Sequence, residues 1–224
     1  MLFHSGRNGG REVFIKPSTG AGDEKLFFNE FPATAHDWSK DGRYILLTRS
    51  FAGKGPDIWV LPTGPGSKPR PYIDTTAYEI QPQFSPEPGG PHWVAYMSDE
   101  SGQPEVYVSS FPDPSKGKFP ISKGGGHQPR WSRDGKEIFY ISQDNSLMSV
   151  AVNAVAGKDG PVFKAGPPNP LFKTALTRDT GAVTYSWVWD AAPDGRFLLN
   201  TVVEQPAQAA VTAIINWQAA LRKR

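Results

Sequence analysis

The sequence predicts an all-β chain, a β-propeller of four-stranded antiparallel blades, and three observations predict it. A phrase recurs: Trp38-Ser39-Lys40-Asp41-Gly42-Arg43 returns as Trp131-Ser132-Arg133-Asp134-Gly135-Lys136 and as Ala191-Ala192-Pro193-Asp194-Gly195-Arg196. A degraded copy stands at Phe84-Ser85-Pro86-Glu87-Pro88-Gly89. Trp38, Phe84 and Trp131 are 46 and 47 residues apart, and a fixed period of this size means one supersecondary unit repeated, as in propeller blades. A second phrase keeps that period independently, since Glu12, Asp57 and Glu105 each open a short apolar run and lie 45 and 48 residues apart. Finally, 23 glycines and 22 prolines are scattered between short apolar runs rich in Phe, Tyr and Trp, the composition of turns between half-buried strands.

Each repeat reads as four strands. The first ends in the Trp/Phe-Ser phrase, after which Asp-Gly makes a tight turn, because Asp bonds its own backbone and Gly accepts positive φ. The second strands are Tyr44–Thr48, Trp93–Met97, Glu137–Ile141 and Phe197–Thr201. The third are Glu12–Ile15, Asp57–Val60, Glu105–Val108 and Ser146–Val150. The fourth are more polar, at Arg70–Ile73, Lys118–Ile121 and Pro170–Lys173, and their prolines fit edge strands, whose N–H groups can face water. An acid that recurs at the head of the third strand is expected to make a structural bond, since a catalytic carboxylate is needed once. Residues 153–169, with three glycines and three prolines, are expected to form a long loop.

The ends do not match whole blades. Residues 1–30 supply second, third and fourth strands, whereas residues 185–217 supply a first strand (Tyr185 to Asp190), a second, and a third at Val211–Trp217. The chain 1–224 therefore reads as a single β-propeller domain with three complete and two partial blades. Either the termini combine into one closing blade, or the chain is the C-terminal part of a longer propeller.

Composition excludes several function classes. With 24 basic and 22 acidic residues well mixed along the chain, no field of the kind that phosphate backbones require is concentrated, which argues against nucleic acid. There are no cysteines, so disulfides, thiolate metal sites and cysteine nucleophiles are all excluded. No run approaches the roughly 18 apolar residues of a membrane span. Met1 to Gly6 has neither the charged leader nor the apolar core of a signal peptide. There is no Gly-x-Ser-x-Gly elbow, no His-Glu-x-x-His and no kinase signature.

The Trp-Ser-x-Asp-Gly-Arg phrase, the run Ser98-Asp99-Glu100-Ser101-Gly102-Gln103-Pro104-Glu105-Val106-Tyr107-Val108, and Gly124-Gly125-Gly126-His127-Gln128-Pro129-Arg130-Trp131 together resemble the TolB-like, WD40-like propeller repeats of bacteria. The chain is similar, more narrowly, to the sensor propeller that follows the kinase domain in bacterial receptor-type serine/threonine kinases. The resemblance implies a propeller fold and an extracytoplasmic or periplasmic setting. Such repeats serve scaffolds, sensors, peptidase gates and a few lyases alike, so fold alone does not assign function. The adjacent Asp-Gly pair differs from the sialidase Asp-box, where one residue separates the two.

Residues leading into the innermost strand of a blade are expected to line the channel or its mouth. They are His36, Asp37, Glu79, Gln81, His127, Gln128 and Arg130, with Tyr185 and Ser186 in the last repeat. His36 and His127 are expected at equivalent points of blades two apart, and imidazole with carboxylate oxygen suits a borderline divalent metal. If any metal is held, these two histidines are the candidate ligands; otherwise no cofactor is expected. Trp187 and Trp189 are expected to be core or sheet-face residues. The leading reading is a non-enzymatic binding, sensor or scaffold module for a protein, peptide or small ligand. The alternative is a metal-assisted carbohydrate lyase or hydrolase with its site at the channel mouth.

Overall fold

The computed structural model describes residues 1–7, 9–157, 160–176 and 187–201. Strands β1 (Leu2–Ser5), β2 (Glu12–Ile15) and β3 (Lys25–Phe28) form sheet I, in that order. Sheet II is β4 (Thr34–Trp38), β5 (Tyr44–Phe51), β6 (Lys54–Pro62) and β7 (Arg70–Ile73). Sheet III repeats it with β8 (Glu79–Phe84), β9 (Trp93–Ser98), β10 (Glu105–Ser110) and β11 (Lys118–Pro120). Sheet IV runs β12 (Gly126–Trp131), β13 (Glu137–Ser142) and β14 (Ser146–Gly157), and then β14 is shared: β16 (Asn169–Lys173) pairs with its first half and β15 (Gly160–Ala165) with its second. Sheet V, among the described residues, is β17 (Trp189–Ala191) with β18 (Phe197–Leu199). The strand predicted at Val211–Trp217 and the residues Tyr185 and Ser186 lie outside the described residues.

The repeated phrase folds as its chemistry requires. Gly42, Gly135 and Gly195 have φ of 75°, 73° and 84°, the left-handed region that glycine enters without a steric penalty. In sheet II the Ser39 hydroxyl donates to Asp41, and the Arg43 and Tyr44 amides donate to Asp41 Oδ1 and Ser39 Oγ at 3.1 and 2.9 Å. Sheet IV reproduces the set with Ser132, Asp134, Lys136 and Glu137. In the degraded copy Ser85 alone remains, and its hydroxyl accepts from the Trp93 amide at 3.0 Å.

The core lies between sheets, one cluster at each junction, and the two-residue period of the second strands explains why. Ile45 and Leu47 of β5 pack toward sheet I with Val13 and Phe28. Leu46, between them, packs toward sheet III with Val94 and Tyr96 of β9. Trp93 and Ala95 face the other way and meet Ile138 and Tyr140 of β13, and Phe139 and Ile141 face Trp189. Each middle strand is therefore buried on both sides; every residue of β9 and β10 is buried. The four clusters join the four successive pairs of sheets, and among the described residues none joins sheet V back to sheet I.

One segment departs from expectation. Residues 153–169 are not a long loop: β14 continues to Gly157 and returns as β15, in register from Val152 opposite Ala165 to Gly157 opposite Gly160. The hairpin is held because Phe163, 4% exposed, inserts its ring 5.1 Å from both Trp93 and Phe119 of sheet III. Tertiary burial supplies what the Gly- and Pro-rich sequence lacks in local strand propensity.

Candidate functional site at the inner strands

The innermost strands β4, β8 and β12 share one irregularity. Each shifts register against its neighbour at a bulge, between Ala35 and Asp37, Ile80 and Gln83, and His127 and Arg130. In β8 and β12 the cause is the pair Gln81-Pro82 and Gln128-Pro129. Proline has no N–H to give the ladder, and both glutamines take the uncommon φ of 55°. Bulges re-aim side chains, and here the result is a set of bonds from one inner strand to the next. The Gln81 side-chain oxygen accepts the Gln128 amide at 2.8 Å, and the Gln128 oxygen accepts the Val188 amide at 2.9 Å. Gln83 likewise accepts the Trp131 amide, and Asp37 the Phe84 amide, both at 2.8 Å. Gln81 and Gln128, expected as ligand-binding residues, are 2% and 4% exposed, and these oxygens tie strands together.

Two of the predicted residues, His36 and Arg130, come together around one that was not, Trp187. The Trp187 ring packs edge-on against His36 with centroids 5.6 Å apart, and Arg130 lies over its face at 4.4 Å. The Trp187 indole N–H donates to the Pro129 carbonyl at 2.9 Å, which fixes the ring. Arg130 Nε stands 3.5 Å from Asp190 Oδ1 and makes no hydrogen bond. Side chains from sheets II and IV thus meet on a tryptophan from the lead-in to sheet V. Sequence reasoning expected Trp187 to be a core or sheet-face residue; its place just ahead of a first strand is the signal that would have found it.

Burial sets the electrostatics of this cluster. His36, whose Nε2 bonds the Thr48 hydroxyl, is pushed down to about 3 by desolvation, with the His4 charge adding to it. Asp37 is pushed up to about 6 by desolvation, against bonds from the Phe84 and Trp38 amides and the charge of Arg130. Arg130 is itself lowered by burial. Yet His36 and Asp37 keep some accessible surface.

The other predicted residues lie apart. His127 is half-buried on β12 opposite Ile141, and burial alone lowers its imidazole. It is not the counterpart of His36: counting back from Trp38 and Trp131, the position of His36 is taken by Pro129, and that of His127 by Thr34. Among the described residues no three of His, Asp and Glu gather in a metal-holding group. Glu79 belongs to a separate buried cluster with Thr75 and Asp57. Glu105, the third-strand acid of sheet III, binds the Gly124 and Gly125 amides at 2.8 and 2.9 Å and the Ser122 hydroxyl. It therefore anchors the connection into β12.

Two open clefts lie elsewhere. One, about 510 Å³, is lined by Lys123, Tyr140, Gln143, Met148 and Pro168, and the other, about 350 Å³, by Arg133, Glu137, Phe139, Pro193 and Phe197. Neither includes any of the seven predicted residues. No helix among the described residues is long and apolar enough to cross a membrane.

In sequence, no family model and no curated protein matches the chain. Solved structures do. A protein assigned as a TolB from Agrobacterium tumefaciens superposes with a TM-score of 0.57 at 18% identity, over 76% of this chain and 61% of that one. TolB from Acinetobacter baumannii gives a TM-score of 0.58 at 16% identity, over 78% of this chain and 41% of that one. The likeness is one of fold, TolB-like and all-β, and this chain spans less than two thirds of either structure.

Proposed function

We propose that the chain is a non-enzymatic binding module of the TolB-like propeller type, a sensor or scaffold whose inner-strand cluster receives a peptide or protein segment. The observation that carries this reading is the meeting of His36 from sheet II and Arg130 from sheet IV on Trp187 in the lead-in to sheet V, with Asp37 near enough to feel the charge of Arg130. An aromatic face with a guanidinium and a carboxylate, both half-buried, is the equipment of a recognition site: stacking surface, a carboxylate partner and an amide acceptor. The sequence carries none of the hydrolase, zinc-protease or kinase signatures, and no observation favours the carbohydrate lyase. Attachment to a receptor kinase draws no support from the structural neighbours and forms no part of the proposal.

The test is selection from a displayed random-peptide library against the intact chain, followed by titration of the enriched peptides with Arg130→Ala and Trp187→Phe. Enriched peptides should bind the wild type and lose roughly tenfold or more in affinity with Arg130→Ala, as befits a central anchor, while both variants keep a cooperative melt. No enrichment, or affinities unchanged in both variants, would overturn the assignment.

A further inference from the structure

We propose that the cleft of about 510 Å³ beside β13 is a binding site for a small monocarboxylate, whose carboxylate meets Tyr140 and Lys123 and whose body lies against Met148, Pro168 and Pro170. Its size falls within the ordinary range of ligand pockets. Tyr140 lines the cleft and is 2% exposed, and its hydroxyl makes no hydrogen bond among the described residues. A buried tyrosine hydroxyl ordinarily has a partner, and the cleft is the side from which one can come.

Sheet III provides the control. Tyr96 holds in β9 the place of Tyr140 in β13, opposite Tyr107 as Tyr140 is opposite Met148. The Tyr96 hydroxyl lies 3.1 Å from the Ser109 hydroxyl and is satisfied there. Two residues past Met148, where Ser109 stands past Tyr107, β14 carries Val150, which offers no partner. The connection into β12 offers none either. A Cβ on Gly126 would stand 3.1 Å from the Tyr140 ring, and one on Gly125 2.6 Å from Gln143 Cβ, so bare backbone seats against sheet IV and brings no side chain to the hydroxyl.

The unspent groups decide the chemistry of the ligand. Asp144, the acid of the cleft, is spent: it accepts from the Ser142 hydroxyl at 2.6 Å and the Ser146 amide at 3.2 Å, and it pairs with Lys173. Glu105, whose charge reaches Tyr140, is spent on the Ser122 hydroxyl, the Gly124 and Gly125 amides and the Gln103 side chain. What remains are donors. The Lys123 ammonium makes no ion pair among the described residues, and the Gln143 side-chain amide no hydrogen bond. Burial, with the charge of Glu105 adding to it, raises the Tyr140 phenol to about 12, so at neutral pH its hydroxyl donates. Two neutral donors and one cation call for acceptor oxygens that share a single negative charge, which describes a carboxylate. A phosphate dianion would leave one charge uncompensated near Glu105. Met148 and the two prolines call for an apolar body.

None of His36, Asp37, Arg130 and Trp187 lines this cleft, so its failure would leave the inner-strand reading untouched. The experiment is methionine-methyl NMR of the intact chain, titrated with hexanoate, with hexanamide and with inorganic phosphate. Met148 lines the cleft, and Met97, buried in sheet III, serves as internal control. Hexanoate should shift the Met148 methyl saturably and leave Met97 in place, while hexanamide binds far more weakly. Tyr140→Phe and Lys123→Ala should each weaken hexanoate about tenfold, the worth of a hydrogen bond to a charged group. Tyr140→Phe keeps the buried ring and removes a hydroxyl that bonds nothing in the fold, so it should melt as the wild type does. Arg130→Ala should bind hexanoate unchanged. No saturable shift, hexanamide or phosphate binding as tightly as hexanoate, or affinity unchanged in both Tyr140→Phe and Lys123→Ala would overturn the proposal and leave the hydroxyl to water.

Discussion

At His36 the folded chain refuses a proton that the unfolded chain takes up near the ordinary histidine value of 6.5, because burial holds the imidazole down to about 3. Its contribution to stability is therefore fully present above that ordinary value and is lost as pH falls through this window. Glu79 works the other way. Its folded value of about 7 lies above the ordinary 4.5, so the fold is favoured while the carboxyl is protonated and loses that advantage as pH rises from about 4.5 to 7. Denaturant titrations across pH should show His36→Phe removing part of the acid-side loss. Glu79→Gln should raise stability near pH 8 and flatten the slope below 7. A slope unchanged by either substitution would mean that these two groups do not govern the profile. At the same scale, Gly135 has φ +73° and a Cβ placed there would stand 3.3 Å from Pro86. Gly135→Val should lower unfolding free energy by about 1–3 kcal/mol, read from urea melts.

At the scale of the element, the strands were legible and their irregularities were not. Short apolar runs between turn residues located β5, β9, β13, β6 and β10, because strands buried on both faces read as nearly unbroken apolar segments. The hairpin of β14 and β15 escaped notice: it follows a run of alanine, glycine and proline whose periodicity is faint, and one aromatic residue, Phe163, holds it against the neighbouring sheet. Phe163→Ala should cost about 3–5 kcal/mol and release the surroundings of Trp93, seen as a change in tryptophan emission. If stability and emission both stay at wild-type values, the hairpin is not held by this ring. The inner strands show the second limit. Repeat position told which residues lie innermost, but a bulge at His36 and before Pro82 and Pro129 turns side chains away from where even spacing sends them. The same spacing led to the false equivalence of His36 with His127, and it concealed Trp187, which belongs to a connection rather than to a strand.

For the molecule as a whole, protection should follow burial from sheet to sheet. Native-state hydrogen exchange should be slowest in β9 and β10, buried along their whole lengths, and fastest among the described strands in β16, every residue of which is exposed. Uniform protection across all sheets would contradict this ranking. The alternation within each middle strand carries a further consequence. Leu46 and Leu47 are chain neighbours, yet one reports on the interface with sheet III and the other on the interface with sheet I. Substitutions at adjoining codons therefore probe opposite walls of the same sheet. Mechanical strain introduced at one wall has only the thickness of a single layer to cross before it reaches the next, so sheet II is both a partition and a relay between its neighbours.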